Sequence, residues 1–232
     1  MKSHAIVTGS MFLVLALCGS RCAMCAEAIR PFNGKDLTGW KTAGGKAEET
    51  LKVGAAKVDP ADPTALVVED GGADLVNFKA HARDFYSEAQ FGDAKIEVEF
   101  MVPKGSNSGV YLMGEYEIQV LDSFGRKEIS PGDVGGVYGA QAPLCNASKA
   151  PGEWQKFVIT FHAPKFDAAG SKVANARIDS ILLNDKLIQK DVELKGVTPG
   201  GLTGKEHATG PLMFQGNHGA VAYRNIVVTP LK

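Results

Sequence analysis

Cysteine is scarce in this chain, and what there is lies at one end. Cys18, Cys22 and Cys25 fall within the first 26 residues, and only Cys145 follows. A chain processed after residue 26 therefore has no internal disulfide and depends on its core for stability. Long apolar runs are missing as well: Met11 to Cys18 is too short to cross a bilayer. Neither sign of charge dominates, with 25 Lys and Arg against 26 Asp and Glu, and no basic run exceeds two residues. That removes the electrostatic reason to expect a nucleic-acid partner. No segment keeps a 3.6-residue apolar period over a helical length, and His81–Ala89 is the one helical candidate. The spacings His-x-His and His-Glu-x-x-His are absent, so a metal site would have to be assembled across strands.

Turn-forming residues are plentiful. Twenty-seven glycines and eleven prolines in 232 residues predict many tight turns, and 44% hydrophobic content is enough for one sizeable core. The first 26 residues predict a signal peptide: Lys2 and His4 precede the apolar run, and Ala26-Glu27-Ala28 or Met24-Cys25-Ala26 offers a cleavage site. Export to the periplasm or the medium is expected. Lipoprotein anchoring is less favoured, because no leader cysteine has the small and aliphatic residues that lipid attachment needs before it. Residues 27–232 then form a single domain. Short strand signals recur at Ala65–Val68, Leu75–Phe78, Ala94–Val102, Trp154–Phe161, Leu212–Gln215 and Ala220–Thr229. Asp70-Gly-Gly72 reads as a hairpin-like turn, residues 176–192 as a hairpin about Asn184-Asp185, and the last two strands as a pair about Asn217-His218-Gly219. The pattern predicts an all-β fold, a two-sheet antiparallel sandwich of jelly-roll type.

The stretch from Asn107 to Asp122 carries the most chemical information. In Glu115-Tyr-Glu-Ile-Gln-Val-Leu-Asp122, Tyr116, Ile118 and Val120 project to one side and Glu117 and Gln119 to the other. The first side reads as core. The second gathers a carboxylate and an amide near Asn107, Tyr111 and Asp122, groups that suit a polyhydroxylated ligand. The same residues also admit plainer readings: Glu117 and Gln119 as a solvated face, Asp122 as a turn cap, Arg224 as half of a cross-sheet ion pair, and His218 as a turn residue meeting water. Trp40 and Trp154 read as core. Cys145 lacks a patterned base, and Asn146-Ala-Ser148 is a glycosylation sequon of a kind common by chance.

Several blocks recur together: Phe32-Asn-Gly-Lys-Asp-Leu-Thr-Gly-Trp40, Asn107-Ser-Gly-Val110, Tyr116 to Asp122, Gly136-Val-Tyr-Gly139, Gly152-Glu-Trp154 and Tyr223-Arg-Asn-Ile226. In this order they resemble the 3-keto-disaccharide hydrolase domain family, the 3-keto-glycoside 1,2-lyases and 3-keto-2-hydroxyglucal hydratases, over about residues 30–231. The resemblance implies a concanavalin A-like jelly roll and a sugar ligand already oxidised at C3. A base removes the C2 proton, the C1–O bond breaks, and water adds back. It implies Glu117 or His218 as base or acid. Arg224, Gln119, Tyr138 or Gln215 would meet the C3 oxygen, and Asn107, Tyr111 and Asp122 would bind the sugar. A divalent metal held by His218 and carboxylates is an alternative, and a sugar 3-dehydrogenase is the implied upstream partner. Two features depart from the family. An arginine expected after the Asn-Ser-Gly strand is replaced by Tyr111-Leu-Met-Gly114, with Arg126 and Arg224 as substitutes, and the usual Asn-Gly hairpin is Asn184-Asp185. A non-catalytic carbohydrate-binding module and ordinary two-carboxylate glycoside hydrolysis remain as rival readings.

Overall fold

Alternation of apolar and polar residues runs through the strands and decides which side of each faces inward. The computed structural model describes residue 1 and residues 27–232, and the expected leader falls at 2–26, outside them. The strands are β1 Trp40–Thr42, β2 Leu51–Val58, β3 Leu66–Asn77, β4 Phe85–Phe91, β5 Ala94–Met101, β6 Asn107–Leu112 and β7 Tyr116–Leu121. After these come β8 Gln155–His162, β9 Lys165–Phe166, β10 Lys172–Ala174, β11 Ala176–Leu183, β12 Lys186–Leu194, β13 Gly210–Phe214 and β14 Val221–Pro230. They build a five-stranded sheet in the order β1-β4-β13-β6-β7 and a seven-stranded sheet in the order β12-β11-β8-β5-β14-β3-β2, with β9 and β10 as a separate ribbon. Neighbouring strands run antiparallel, as in β6–β7 and β5–β14. The inward faces form one core, with Ile96, Val98 and Phe100 of β5 opposite Val110, Ile118 and Val120 of the other sheet. This is the two-sheet sandwich that the pattern predicts.

An aromatic stack ties the sheets together beneath β6. Phe214 stacks on Tyr223 with ring centroids 3.8 Å apart and on Trp40 at 5.4 Å, and Phe85 meets Phe214 edge-on at 5.4 Å. Trp40 is therefore core. Trp154 is half-buried on the outside of the seven-stranded sheet, beneath the Arg224 guanidinium at 3.9 Å.

Three local expectations change. Residues 85–91 are strand β4 rather than helix, because Phe85, Ser87 and Phe91 turn inward while Tyr86, Glu88 and Gln90 turn out, a period of two. Asp70-Gly-Gly72 is a bulge within the single strand β3. Opposite it β2 passes directly from Gly54, paired with Asp74, to Ala55, paired with Glu69. Asp74 holds the bulge by accepting the Ala56 N–H at 2.9 Å. The last two strands do not pair with each other: β13 lies in one sheet and β14 in the other, so residues 215–220 cross between them. At Asn184-Asp185 both residues have positive φ (51° and 66°), and the β11–β12 hairpin turns there. Asn146 spends its amide hydrogens on the carbonyls of Ser123 (2.7 Å) and Arg126 (3.1 Å), so the sequon asparagine fastens a loop.

Phe214 touches each of the other three rings, so Phe214→Ala is expected to cost about 3–5 kcal/mol in urea unfolding. Leu144→Ser, at a position 61% exposed, should stay within about 0.5 kcal/mol of the parent.

Candidate functional site

The register of β6 against β7 sets the floor of the site. Tyr111 pairs with Glu117 and Gly109 with Gln119. With Val110, Ile118 and Val120 committed to the core, Asn107, Gly109, Tyr111, Glu117 and Gln119 all face outward from the sheet. Gly109 is required here: a Cβ on it would lie 2.3 Å from Glu117 Oε1. The missing side chain is the space in which the Glu117 carboxyl lies. The intervening Ser108 faces the core, where its hydroxyl meets Tyr223 Oη at 2.9 Å and donates to the Gln215 carbonyl at 2.7 Å.

Three segments wall this floor. The glycine-dense loop zips onto the free edge of β7: Gln119 N donates to Gly136 O (2.9 Å), Gly135 N to Gln119 O (2.8 Å) and Tyr138 N to Glu117 O (3.1 Å), which brings Tyr138 to the rim. On a second side, Thr198 Oγ1 accepts the Glu117 N–H at 2.8 Å, and Pro199 and Gly200 follow it along the cleft. That segment is anchored by Glu115, 2% exposed, which accepts Thr203 N, Thr203 Oγ1 and Gly204 N at 2.7–3.0 Å. The crossing between β13 and β14 closes the third side. Asn77 Nδ2 donates to Gly216 O (3.0 Å) and Gly219 O (2.9 Å), and Asp84 Oδ1 accepts Gly216 N (2.9 Å). The result is a cleft of about 220 Å³ lined by Asn107, Tyr111, Glu117, Gln119, Tyr138, Pro199, Gly200, Gln215 and His218.

The electrostatics single out Glu117. It is 1% exposed and accepts the Tyr111 hydroxyl at 2.8 Å. Burial pushes its carboxyl up to about 7; the Tyr111 bond opposes that rise and the charge of Asp84 adds to it. Tyr111 is itself raised, first by burial and then by the adjacent Glu117, and stays a neutral donor. Around this acid, the buried amide oxygens Asn107 Oδ1, Gln119 Oε1 and Gln215 Oε1 have no partner in the protein. Buried acceptors are ordinarily satisfied, so three unpartnered ones around one small cleft set it apart.

Two of the sequence-derived site residues lie elsewhere. Asp122 caps a turn: Oδ2 accepts Gly105 N at 2.9 Å and Oδ1 accepts Phe124 N at 3.3 Å. Arg224 follows Tyr223, whose ring is in the core, so alternation carries the guanidinium to the outer face of the other sheet. There it pairs with Glu99 at 2.8 Å. Arg126 is engaged by Asp133 at 2.9 Å. Among the described residues no lysine or arginine lines the cleft. Among the described residues no group of three or more His, Cys, Asp or Glu side chains is gathered closely enough to hold a metal ion. The donor set thus does not fit the expected divalent metal. A larger groove of about 700 Å³ runs beneath the β9–β10 ribbon, but its cations Lys165, Lys172 and Arg177 are each paired with a carboxylate at 2.6–2.7 Å. The residue that sequence reasoning missed is Asp84, half-buried, raised by burial and felt by both Glu117 and Tyr111. Reading 81–89 as a helix hid it; the inward Phe85 and Ser87 were the available signal.

Residues 27–229 match the 3-keto-alpha-glucoside-1,2-lyase-like domain. Among solved structures, the chain is similar to a candidate glycosyl hydrolase from Parabacteroides distasonis, at 28% identity and a TM-score of 0.69, over 88% of this chain and 84% of that one. A second candidate glycosyl hydrolase of the same organism shares the fold at 18% identity and a TM-score of 0.58, over 88% of this chain and 94% of that one. No protein of curated function matches.

Two outcomes follow from the packing of Glu117. Its folded-state value lies above the ordinary 4.5, so folding favours the protonated form. The Glu117 contribution to stability is most favourable below pH 4.5, falls as pH rises towards 7, and carries its full cost above that. Glu117→Gln should therefore stabilise the protein at pH 8 by an amount on the order of 3 kcal/mol and have little effect at pH 4, read by thermal and urea unfolding at both pH values. Gly109→Ala should expel the carboxyl from its slot, and the Glu117 titration, followed by carbon NMR, should return towards 4.5.

Proposed function

The chain belongs to the 3-keto-alpha-glucoside-1,2-lyase-like family, and we propose that its cleft breaks the glycosidic bond of 3-keto-glycosides by elimination across C1 and C2, then hydration. Membership makes this a carbohydrate-active β-sandwich domain. The finer reading is carried by one observation, the buried Glu117 carboxyl poised near neutrality among unpaired amide oxygens.

A ketone at C3 acidifies the C2 hydrogen. Glu117 as carboxylate takes that proton and becomes the neutral acid that its burial favours. The C2–H electron pair forms the C1=C2 bond as the C1–O bond breaks. The departing oxygen takes a proton from His218 in its imidazolium form at the rim. The Tyr138 hydroxyl and the Asn107 amide Nδ2 meet the growing negative charge at the C3 oxygen. The free oxygens of Asn107, Gln119 and Gln215 accept from the sugar hydroxyls. Water then adds its hydroxyl to C1 and gives its other proton to the His218 imidazole, and Glu117 returns its proton to C2, completing a net hydrolysis. The substrate requires a prior oxidation at C3, hence a sugar 3-dehydrogenase upstream. The leader read at residues 1–26 is the reason to place this reaction outside the cytoplasm.

A carbohydrate-binding module without turnover is the second reading, favoured by the absence of a lysine or arginine from the cleft lining. Ordinary glycoside hydrolysis is disfavoured, because it needs two carboxyls facing the scissile bond and, among the carboxyls of the described residues, only Glu117 lines the cleft.

The test is incubation of the purified protein with a 3-keto-glucoside, with and without chelator, following release of the aglycone. Release is expected from the keto-glycoside and not from the parent glucoside. Glu117→Gln should lower it at least 100-fold, and His218→Ala should lower it as well. The rate should rise with pH through about 7, as the base ionises, and Glu117→Gln should remove that limb. Sugar binding without release would leave the binding module.

A further inference from the structure

One row of the five-stranded sheet joins the cleft floor to Asp84. Phe214 pairs with Phe85 on one side and with Val110 on the other. The next residues along these strands, Asp84, Gln215 and Gly109, therefore stand side by side, and Gln215 N donates to Gly109 O at 2.9 Å. Phe85, Phe214 and Val110 are core residues, so their three neighbours turn outward. The Glu117 carboxyl leans over Gly109. Asp84 is thus about two strand spacings, ~10 Å, from the backbone beneath that carboxyl, with Gln215 between them.

Asp84 also fixes the segment that carries two cleft groups. Its Oδ1 accepts Gly216 N at 2.9 Å, and Ala82 N donates to Gly216 O at 3.0 Å. Gly216 fits so closely that a Cβ there would lie 2.1 Å from Arg83 O. Gln215 and His218 flank this anchored glycine and both line the cleft.

We propose that Asp84 is a positioning residue for this cleft: its carboxylate fastens the 215–218 turn, and its negative charge, seen across Gln215, couples it to Glu117 as a carboxyl pair. The charges around the pair agree. Burial raises Asp84 while the Gly216 amide and the nearby His218 lower it, and the charge of Asp84 in turn raises both Glu117 and Tyr111. The titratable groups facing Glu117 are Tyr111 from β6, Tyr138 from the edge loop, His218 from the crossing turn, Tyr223 from β14 below, and Asp84. Arg83 lies against Gly44 and Gly45.

The kinetic arm of the test rests on Glu117 being the base, and the spectroscopic arm does not. Asp84→Asn keeps an oxygen for the Gly216 amide and removes only the charge, whereas Asp84→Ala removes both. In Asp84→Asn the Glu117 titration, followed by carbon NMR, should move down by about half to one pH unit. The acid limb of the rate on a 3-keto-glucoside should move with it. Asp84→Ala should show the same shift and, in addition, a KM several-fold above that of Asp84→Asn, because Gln215 and His218 lose their anchor. A Glu117 midpoint unchanged in Asp84→Asn overturns the carboxyl pair, and equal KM values in the two variants overturn the positioning role. If the wild type turns over no 3-keto-glycoside, the proposed reaction fails while the NMR midpoint still decides the pairing.

Discussion

Burying a carboxyl group against the face of a sheet demands two things: space where a neighbouring side chain would be, and a donor to replace water. Gly109 supplies the first and Tyr111 the second. Glu115 and Glu117, two residues apart and both almost inaccessible, show how differently one requirement can be met. Glu115 accepts three hydrogen bonds from Thr203 and Gly204 and is consumed by them, holding a loop. Glu117 receives one hydroxyl and keeps free capacity. The under-provided carboxyl is the one that opens into the cleft, and its raised affinity for a proton is the direct result of that shortage.

The rest of the sandwich can be understood as what keeps this arrangement in place. The Ser108 hydroxyl links the cleft floor to the Tyr223 ring, which stacks on Phe214 and hence on Trp40. The floor cannot shift without disturbing the aromatic core. The walls, by contrast, are irregular backbone: the glycine-dense loop is zipped to β7 by backbone bonds, and the other two are fastened by side chains, Thr198 to the Glu117 amide, Asn77 and Asp84 to Gly216. A rigid floor with individually tied loops is the usual way a sandwich carries a site.

The strand alternation of residues 107–121 is legible from the order of the residues, because Tyr116, Ile118 and Val120 leave Glu117 and Gln119 no other side to occupy. Alternation also held the correction to Arg224: once Tyr223 belongs to the core, its neighbour must lie on the far side of the other sheet, next to Glu99. Sheet order was not legible. The strands on either side of Asn217-His218-Gly219 look like a hairpin, yet they belong to different sheets, and only long-range pairing of β13 with β4 and of β14 with β3 decides it. Asp84 escaped for the same reason, since its place in the row with Gln215 and Gly109 is a property of strand order. Asp122 is an acid whose local turn amides claim it first, an outcome visible in the sequence only as one of two options.

That no lysine or arginine among the described residues lines the cleft also bears on the chemistry. A site that stabilises a developing anion usually does so with a fixed positive charge or an ion. Here the lining is amide, phenol, imidazole and one carboxyl. In the proposed elimination the negative charge is already present on Glu117 before reaction, in surroundings that disfavour it, and proton transfer moves it outward towards the C3 oxygen of the sugar, while the proton from His218 neutralises the leaving oxygen. The cost of the buried carboxylate is then relieved as the reaction proceeds, so part of the driving force lies in the ground state of the protein. The neutral donors Tyr138 and Asn107 suffice at the C3 oxygen because the proton transfers from His218 and to Glu117 leave the net charge within the cleft unchanged. On this view the arginine expected after Asn107-Ser-Gly109 can be absent from this chain without loss of charge balance, provided that Glu117 stays buried and Gly109 stays glycine.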